Sequence, residues 1–180
     1  VDGAPTRIII GLAWSPSATA GNLELYVSHG EFRFDNVPNF TGKISVLTGP
    51  NLDTVRDLVT GLPRAVKDHM NNGIDFGPDG KLYLAQGSLS GYGAPDQAWG
   101  FRAETPMSAS VLVMDVEHNA AFATPVDVNT DHGYDPRAPG APVTVYASGT
   151  RNPYDLVWHS NGNLYSAVNE SASGNAPAGP

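Results

Sequence analysis

One pattern recurs three times along this chain and limits the folds open to it. A short apolar strand, a tight polar turn and a second strand carrying Leu-Tyr form the unit. Its clearest copy lies within Lys67 to Gly87, where Ile74-Asp75-Phe76 is followed by Gly77-Pro78-Asp79-Gly80 and then by Lys81 to Gln86. Proline presets one turn dihedral and glycine accepts positive φ, so Pro-Asp-Gly between apolar runs marks a hairpin. Leu12-Ala13-Trp14-Ser15-Pro16 leads to Leu23-Glu24-Leu25-Tyr26, and Leu156-Val157-Trp158-His159-Ser160-Asn161-Gly162 leads to Asn163-Leu164-Tyr165. Matching Leu12, Ile74 and Leu156 gives spacings of 62 and 82 residues. Repeats of supersecondary units decide architecture before other signals.

The strands between the repeats are short. Arg7 to Trp14, Asn22 to Ser28, Lys43 to Leu47, Ala109 to Val116 and Val143 to Ala147 read as strands. Leu52 to Leu62 has no clear period, and the repeat favours a strand at Val55 to Val59. Glu31 to Thr41, Ser88 to Ser108 and Glu117 to Ala141 read as irregular segments. A loop as long as Ser88 to Ser108 in a compact domain is usually functional. The tail, Ser171 to Pro180, reads as a loop or cut linker.

Composition agrees. The chain has 20 Gly and 15 Pro in 180 residues, roughly one and a half times average usage. Nine or ten short strands without a helix predict an all-β fold. β-Propeller blades fit the repeat best, with a sandwich as the alternative. A blade takes about 40–50 residues, so residues 1–180 are expected to form about three to four blades, a partial domain of a larger ring. Only 16% of residues are charged and the net charge is −8, which disfavours nucleic-acid binding. No apolar run reaches membrane-spanning length. The opening Val1-Asp2-Gly3-Ala4-Pro5 has no basic region, apolar core or initiator Met, so a processed or excised chain is expected. Cysteine is absent, which excludes disulfides and thiolate metal sites.

The motifs resemble one family. Asp68-His69, Gly73 and Phe76-Gly77-Pro78-Asp79-Gly80-Lys81-Leu82-Tyr83 resemble a hallmark of the soluble quinoprotein glucose/sorbosone dehydrogenases, and Gly149-Thr150-Arg151-Asn152-Pro153 resembles their Gly-X-Arg-Asn-Pro motif. Ile9 to Trp14 and Leu25 to His29 resemble an earlier blade of that family. The resemblance implies a six-bladed propeller that holds pyrroloquinoline quinone (PQQ) and calcium on its axis. It implies oxidation of a sugar or polyol, a periplasmic or secreted location, and remaining blades beyond this chain, including the later ones that supply basic residues to the quinone carboxylates.

Such a reaction needs a base for the hydroxyl proton and positive charge near the reduced acceptor. His69 is the candidate base, with Asp68 to orient it or touch substrate; both also fit a plain polar loop. Arg151 and Asn152 are the candidate cofactor contacts, and a structural turn before Pro153 is the other reading of them. The resemblance places calcium ligands at Asn169, Glu170 and Ser171, although the family's usual Gly-Pro is missing there. Asp127, Asp131 and Asp135 could form a separate calcium loop, although acidic insertions are usually just solvated. Ser88 stands where many members of the family carry an Asp that supports the histidine. Trp99 is a candidate for lining a cleft. Trp14, Phe76 and Trp158 are expected in blade cores, and His29, His118, His132 and His159 at the surface or in turns. The alternatives to the enzyme are a non-catalytic propeller module binding carbohydrate or protein and, more weakly, a metal-dependent lactonase.

Overall fold

The computed structural model describes residues 5–170. Its strands are β1 (Arg7–Trp14), β2 (Glu24–Glu31), β3 (Gly42–Thr48), β4 (Thr54–Leu62), β5 (Asn71–Phe76), β6 (Leu82–Gln86), β7 (Ser110–Met114), β8 (Val126–Asp127), β9 (Val143–Ser148), β10 (Asn152–Trp158) and β11 (Leu164–Asn169). Helical structure among the described residues is limited to three short 3₁₀ turns. The sheets have orders β1-β2-β3-β4-β8, β5-β6-β7-β9 and β10-β11. They make two four-stranded antiparallel meanders and the first hairpin of a third. The two-residue β8 is added parallel to the outer edge of the first. The fold is all-β and propeller-like, and the described strands form no closed ring.

The repeat survives in the pairing. Trp14 faces Leu25, Phe76 faces Leu82 and Trp158 faces Leu164. Each of these hairpins also breaks register near its start, between Ile9 and Gly11, Asn71 and Ile74, and Pro153 and Asp155. A bulge adds local twist and bends the strand. The same hairpin with the same irregularity therefore starts each sheet.

The first strands of the sheets meet at this bulge. A methyl on Gly11 would stand 2.6 Å from the Asn72 carbonyl and 2.9 Å from the Ile74 nitrogen. One on Gly73 would overlap Asp155 Oδ1 and stand 2.9 Å from the Asp155 Cα. β5 is thus pressed between β1 and β10, and glycine permits the approach on each side. The main core fills the space between the first two sheets. Tyr26, Ile44, Val46 and Leu58 from one face Leu82, Leu84, Leu112 and Met114 from the other. Burying each large aliphatic side chain contributes about 1.5–3 kcal/mol.

Three expectations change. Glu117 to Ala141 is more than a solvated insertion, because Phe122 and Val128 enter the main core and β8 extends the first sheet. His29 is buried within β2 rather than at the surface. Trp14 is not in a core: it is 54% exposed, whereas Phe76 packs edge-to-face on Tyr26 at 5.2 Å and Trp158 on Tyr83 at 5.0 Å. Those two aromatics each rest on a tyrosine of the preceding sheet, and β1 has no preceding sheet among the described residues.

Gly11→Ala and Gly73→Ala should each destabilise the fold by about 1–3 kcal/mol, since the methyl meets backbone at Gly11 and both the Cα and the carboxylate of Asp155 at Gly73. Gly21→Ala, with nothing within 4 Å of the added methyl, should be near neutral. Urea denaturation of the three variants checks this, and equal midpoints would remove the close approach as a determinant.

Candidate functional site

The histidine loop is built around an arginine that the sequence did not mark. Arg64 is wholly buried. Its Nη1 donates to the carbonyls of Lys67, Ala65 (3.3 Å) and His69 (2.9 Å), and its Nη2 donates to the Arg33 carbonyl at 2.7 Å. Arg102 adds bonds to the Arg64 and Val37 carbonyls. Burial lowers the Arg64 guanidinium to about 10, with Arg102 pushing the same way and Asp68 opposing. Five donors in a planar fork suit this gathering of loop carbonyls, and the loop is pinned from inside.

His69 follows at 2% exposure. Its Nδ1 lies 2.9 Å from Ser88 Oγ and 3.2 Å from the Ser88 carbonyl. Ser88 Oγ gives its only proton to the Ser90 carbonyl at 2.7 Å. The hydroxyl can therefore only accept from the ring, as the carbonyl must, and Nδ1 carries the proton. The lone pair lies on Nε2. That atom makes no hydrogen bond among the described residues and is absent from the sealed, unpartnered polar atoms. Burial, then the positive charge of Arg151, lowers His69 to about 4, so the imidazole is neutral at neutral pH. Asp68 is exposed at the loop crest and opposes that shift.

Arg151 is brought to the same place by Ser88, whose N–H donates to the Arg151 carbonyl at 2.8 Å. The guanidinium is anchored on one side, with Nε donating to the Gly91 carbonyl at 2.9 Å and Nη1 to the Asn169 carbonyl at 3.2 Å. It faces a cavity of about 230 Å³ lined by Ser88, Tyr92, Thr150 and Glu170 among others. His69 and Arg151 both flank Trp99. The imidazole is 4.3 Å from that ring and the guanidinium 5.8 Å, with Lys67 Nζ at 5.1 Å. Trp99 is 8% exposed and closes the loop over the histidine. It is therefore part of the site, although His69 does not line the cavity itself.

Asn152 is half committed. Its Oδ1 accepts from Asn72 Nδ2 at 2.9 Å, and Asn72 also donates to the Pro153 carbonyl at 2.8 Å. The amide ties β10 to β5, and only its Nδ2 lacks a partner among the described residues. Of the candidate metal ligands, the Asn169 carbonyl is held by Arg151, Glu170 lines the cavity, and Ser171 lies outside the described residues. Among the described residues no three His, Asp or Glu side chains gather as a metal site, so Asp127, Asp131 and Asp135 do not form one. Asp127 instead accepts from His132 at 2.8 Å.

The remaining histidines are occupied. His29 Nδ1 accepts from Arg7 Nε at 2.5 Å, and its Nε2 lies 2.7 Å from Ser45 Oγ. Ser45 gives its own proton to Asp57, so Nε2 donates and both ring nitrogens are used. His118 pairs with Asp115, and His159 Nδ1 accepts from the Asn161 N–H. A larger groove of about 670 Å³, lined by Arg102, Asp131, Tyr134 and Arg137 among others, contains neither His69 nor Arg151.

No family model matches the sequence, and no curated protein matches it. Among solved structures the chain is similar to a protein of Thermus thermophilus provisionally named as an oxidoreductase (glucose dehydrogenase). The two share 25% identity with a TM-score of 0.50 over 92% of this chain. The chain spans 45% of that protein's length. Its fold is thus related to a sugar-dehydrogenase-like one.

Two buried neutral histidines have a consequence for acid stability. His29 and His69 are both lowered from 6.5 to about 4, chiefly by burial. Between these values the unfolded chain binds protons that the folded chain refuses, so stability should be full above pH 6.5 and fall as pH drops towards 4. Urea midpoints over that range check the slope, and His69→Gln should make it shallower.

Proposed function

We propose that this chain is the histidine- and arginine-bearing part of a quinone-dependent dehydrogenase that oxidises a sugar or polyol hydroxyl. The observation that carries the reading is the state of His69. It is the buried histidine with a nitrogen left over, neutral near pH 7, beside an arginine facing a cavity. The related sugar-dehydrogenase-like fold supports it. Nε2 takes the hydroxyl proton as the carbon gives up hydride, and the product is the carbonyl compound. PQQ, when bound, supplies the two-electron acceptor. Arg151 would hold it with the guanidinium edge not spent on Gly91 and Asn169, and Asn152 with Nδ2. The cation also stabilises negative charge that grows beside it.

Calcium fits the described residues less well. At Asn169 a metal would have to share the carbonyl oxygen with the cationic Arg151 Nη1, and hard cations need several oxygens together. Further blades are proposed to cover β1 and the β10-β11 hairpin in the whole protein, which we place in the periplasm or outside the cell. Among the described residues no helix is long and apolar enough to cross a membrane. The close cover of His69 by Trp99 favours one other reading, a propeller module that binds carbohydrate without turning it over.

The whole protein, supplied with the quinone and a dye acceptor, should oxidise aldoses or polyols. His69→Gln should lower kcat about 10²- to 10⁴-fold with little change in KM. Near-normal turnover would remove His69 as the base, and a loaded wild type that binds sugar but oxidises none would leave the binding module. Arg151→Ala should weaken quinone binding measured by tryptophan quenching, and Arg151→Lys should do so too because the fork is lost. Unchanged affinity in both would make Arg151 a structural residue.

A further inference from the structure

We propose that Glu104 is the carboxylate that supports His69, acting on it through the Ser88–Leu89 peptide group. The inference rests on the reading of His69 as a base and makes Glu104 a positioning residue for it.

The connection is a chain of contacts. His69 Nδ1–H donates to the Ser88 carbonyl at 3.2 Å and to Ser88 Oγ at 2.9 Å. The nitrogen of the same peptide unit is that of Leu89, and its N–H donates to Glu104 Oε2 at 2.9 Å. Carboxylate, peptide and imidazole therefore stand in line, with one planar amide between the two side chains. A carboxylate on the N–H side of an amide enriches its carbonyl oxygen, and hydrogen bonds in such chains strengthen one another by roughly 10–30% per bond. The Ser88 carbonyl becomes a stronger acceptor for Nδ1–H, which holds the proton away from Nε2.

Glu104 is placed with unusual care for a loop residue. Its Oε1 also accepts from the Ser90 N–H at 2.9 Å and Ser90 Oγ at 2.5 Å, and Ser108 Oγ lies 2.6 Å from Oε2. The first of these fixes Ser90, whose carbonyl takes the Ser88 hydroxyl proton. One carboxylate thus sets both acceptors that His69 Nδ1 uses. With a serine at position 88, this arrangement keeps the negative charge one peptide group away from the imidazole. The other charges facing His69 are Arg151 and Asp68, with Lys67 across the Trp99 ring.

Long-range ¹⁵N correlation spectra of histidine rings in the full chain test the proposal. His69 should be a single neutral Nδ1–H tautomer in the wild type. Ser88→Ala should retain that tautomer, since the peptide carbonyl remains. Glu104→Gln should mix the tautomers and move the His69 midpoint down, and adding Ser88→Ala should mix them further. His29, held by Arg7 and Ser45, reports whether each variant is folded. Should Glu104→Gln disturb His29 as well, the wild type still decides. The Leu89 amide proton and the His69 Nδ1 signal should then inflect together as pH is lowered. In the quinone-loaded whole protein Glu104→Gln should lower kcat about 10- to 100-fold, as loss of an outer partner of a functional histidine does, and leave KM in place. An unresponsive His69 in a folded Glu104→Gln variant, loss of the tautomer in Ser88→Ala alone, or absence of a shared inflection would overturn the role of Glu104. An Nε2–H tautomer in the wild type would instead remove the reading of His69 as a base, and the inference with it.

Discussion

Everything at the candidate site depends on how closely the first strands of the sheets approach. Gly11 lies against the backbone at Asn72 to Ile74, and Gly73 lies against Asp155. With β5 held between its two counterparts, the loops that precede β5 and β10 leave the sheets side by side. One carries His69 and the other Arg151. Gly87 extends the same logic to the end of β6, where a methyl would stand 2.7 Å from Asn152 Oδ1 and 3.0 Å from His69 Cβ. Ser88 can then reach both loops, donating its N–H to one and accepting from the imidazole of the other. Conformational freedom matters little at these glycines; the missing side chain does. A residue with any side chain would hold the strands apart by a fraction of an ångström and separate His69 from Arg151.

A second joint repeats between the sheets. Tyr26 receives Phe76 edge-on, and Tyr83 receives Trp158 in the same way. Such pairs contribute about 0.5–1.5 kcal/mol beyond the area they bury. In the same series Trp14 has no tyrosine beneath it, and Tyr165, 51% exposed, receives no aromatic from a following sheet among the described residues. The surfaces left open at the two ends of the array are therefore complementary halves of one joint. That is what an arc of a propeller should present, and a sandwich, with its two faces closed on each other, would not.

The repeat was legible because the hairpins carry it in local chemistry. Pro-Asp-Gly and Ser-Asn-Gly turns followed by Leu-Tyr need no tertiary context, and the pairing of Phe76 with Leu82 and Trp158 with Leu164 follows from them. His69, Arg151 and Trp99 stood out for the same reason, as uncommon residues in short motifs or long loops. Arg64 and Glu104 did not, because the partners of Arg64, and half of those of Glu104, are backbone groups. A carbonyl or an N–H has no letter of its own in the sequence, so a side chain that gathers several of them looks like any surface charge. Ser88 was visible as a departure from a carboxylate, yet its role needed the direction of one hydroxyl proton. His29 was misread for a related reason: a histidine at a strand end looks exposed until Arg7 and Ser45 are folded onto it.

The two buried histidines show why burial alone says little about function. Both are neutral at neutral pH, and in both burial is the main cause of the lowered pKa. His29 has a donor on one nitrogen and an acceptor on the other, so taking up a proton means breaking the Arg7 bond and facing its guanidinium. His69 has its single proton fixed on Nδ1 and its lone pair unclaimed, so protonation costs desolvation and repulsion from Arg151 but no hydrogen bond. Arg151, which after burial lowers the His69 pKa, would in the proposed dehydrogenase stabilise negative charge on an acceptor beside it. As the proposed base, an imidazole near pKa 4 would take a proton only as electron density leaves the substrate carbon. What separates the structural His29 from the proposed base His69 is the occupancy of one nitrogen, decided by a serine hydroxyl that points away.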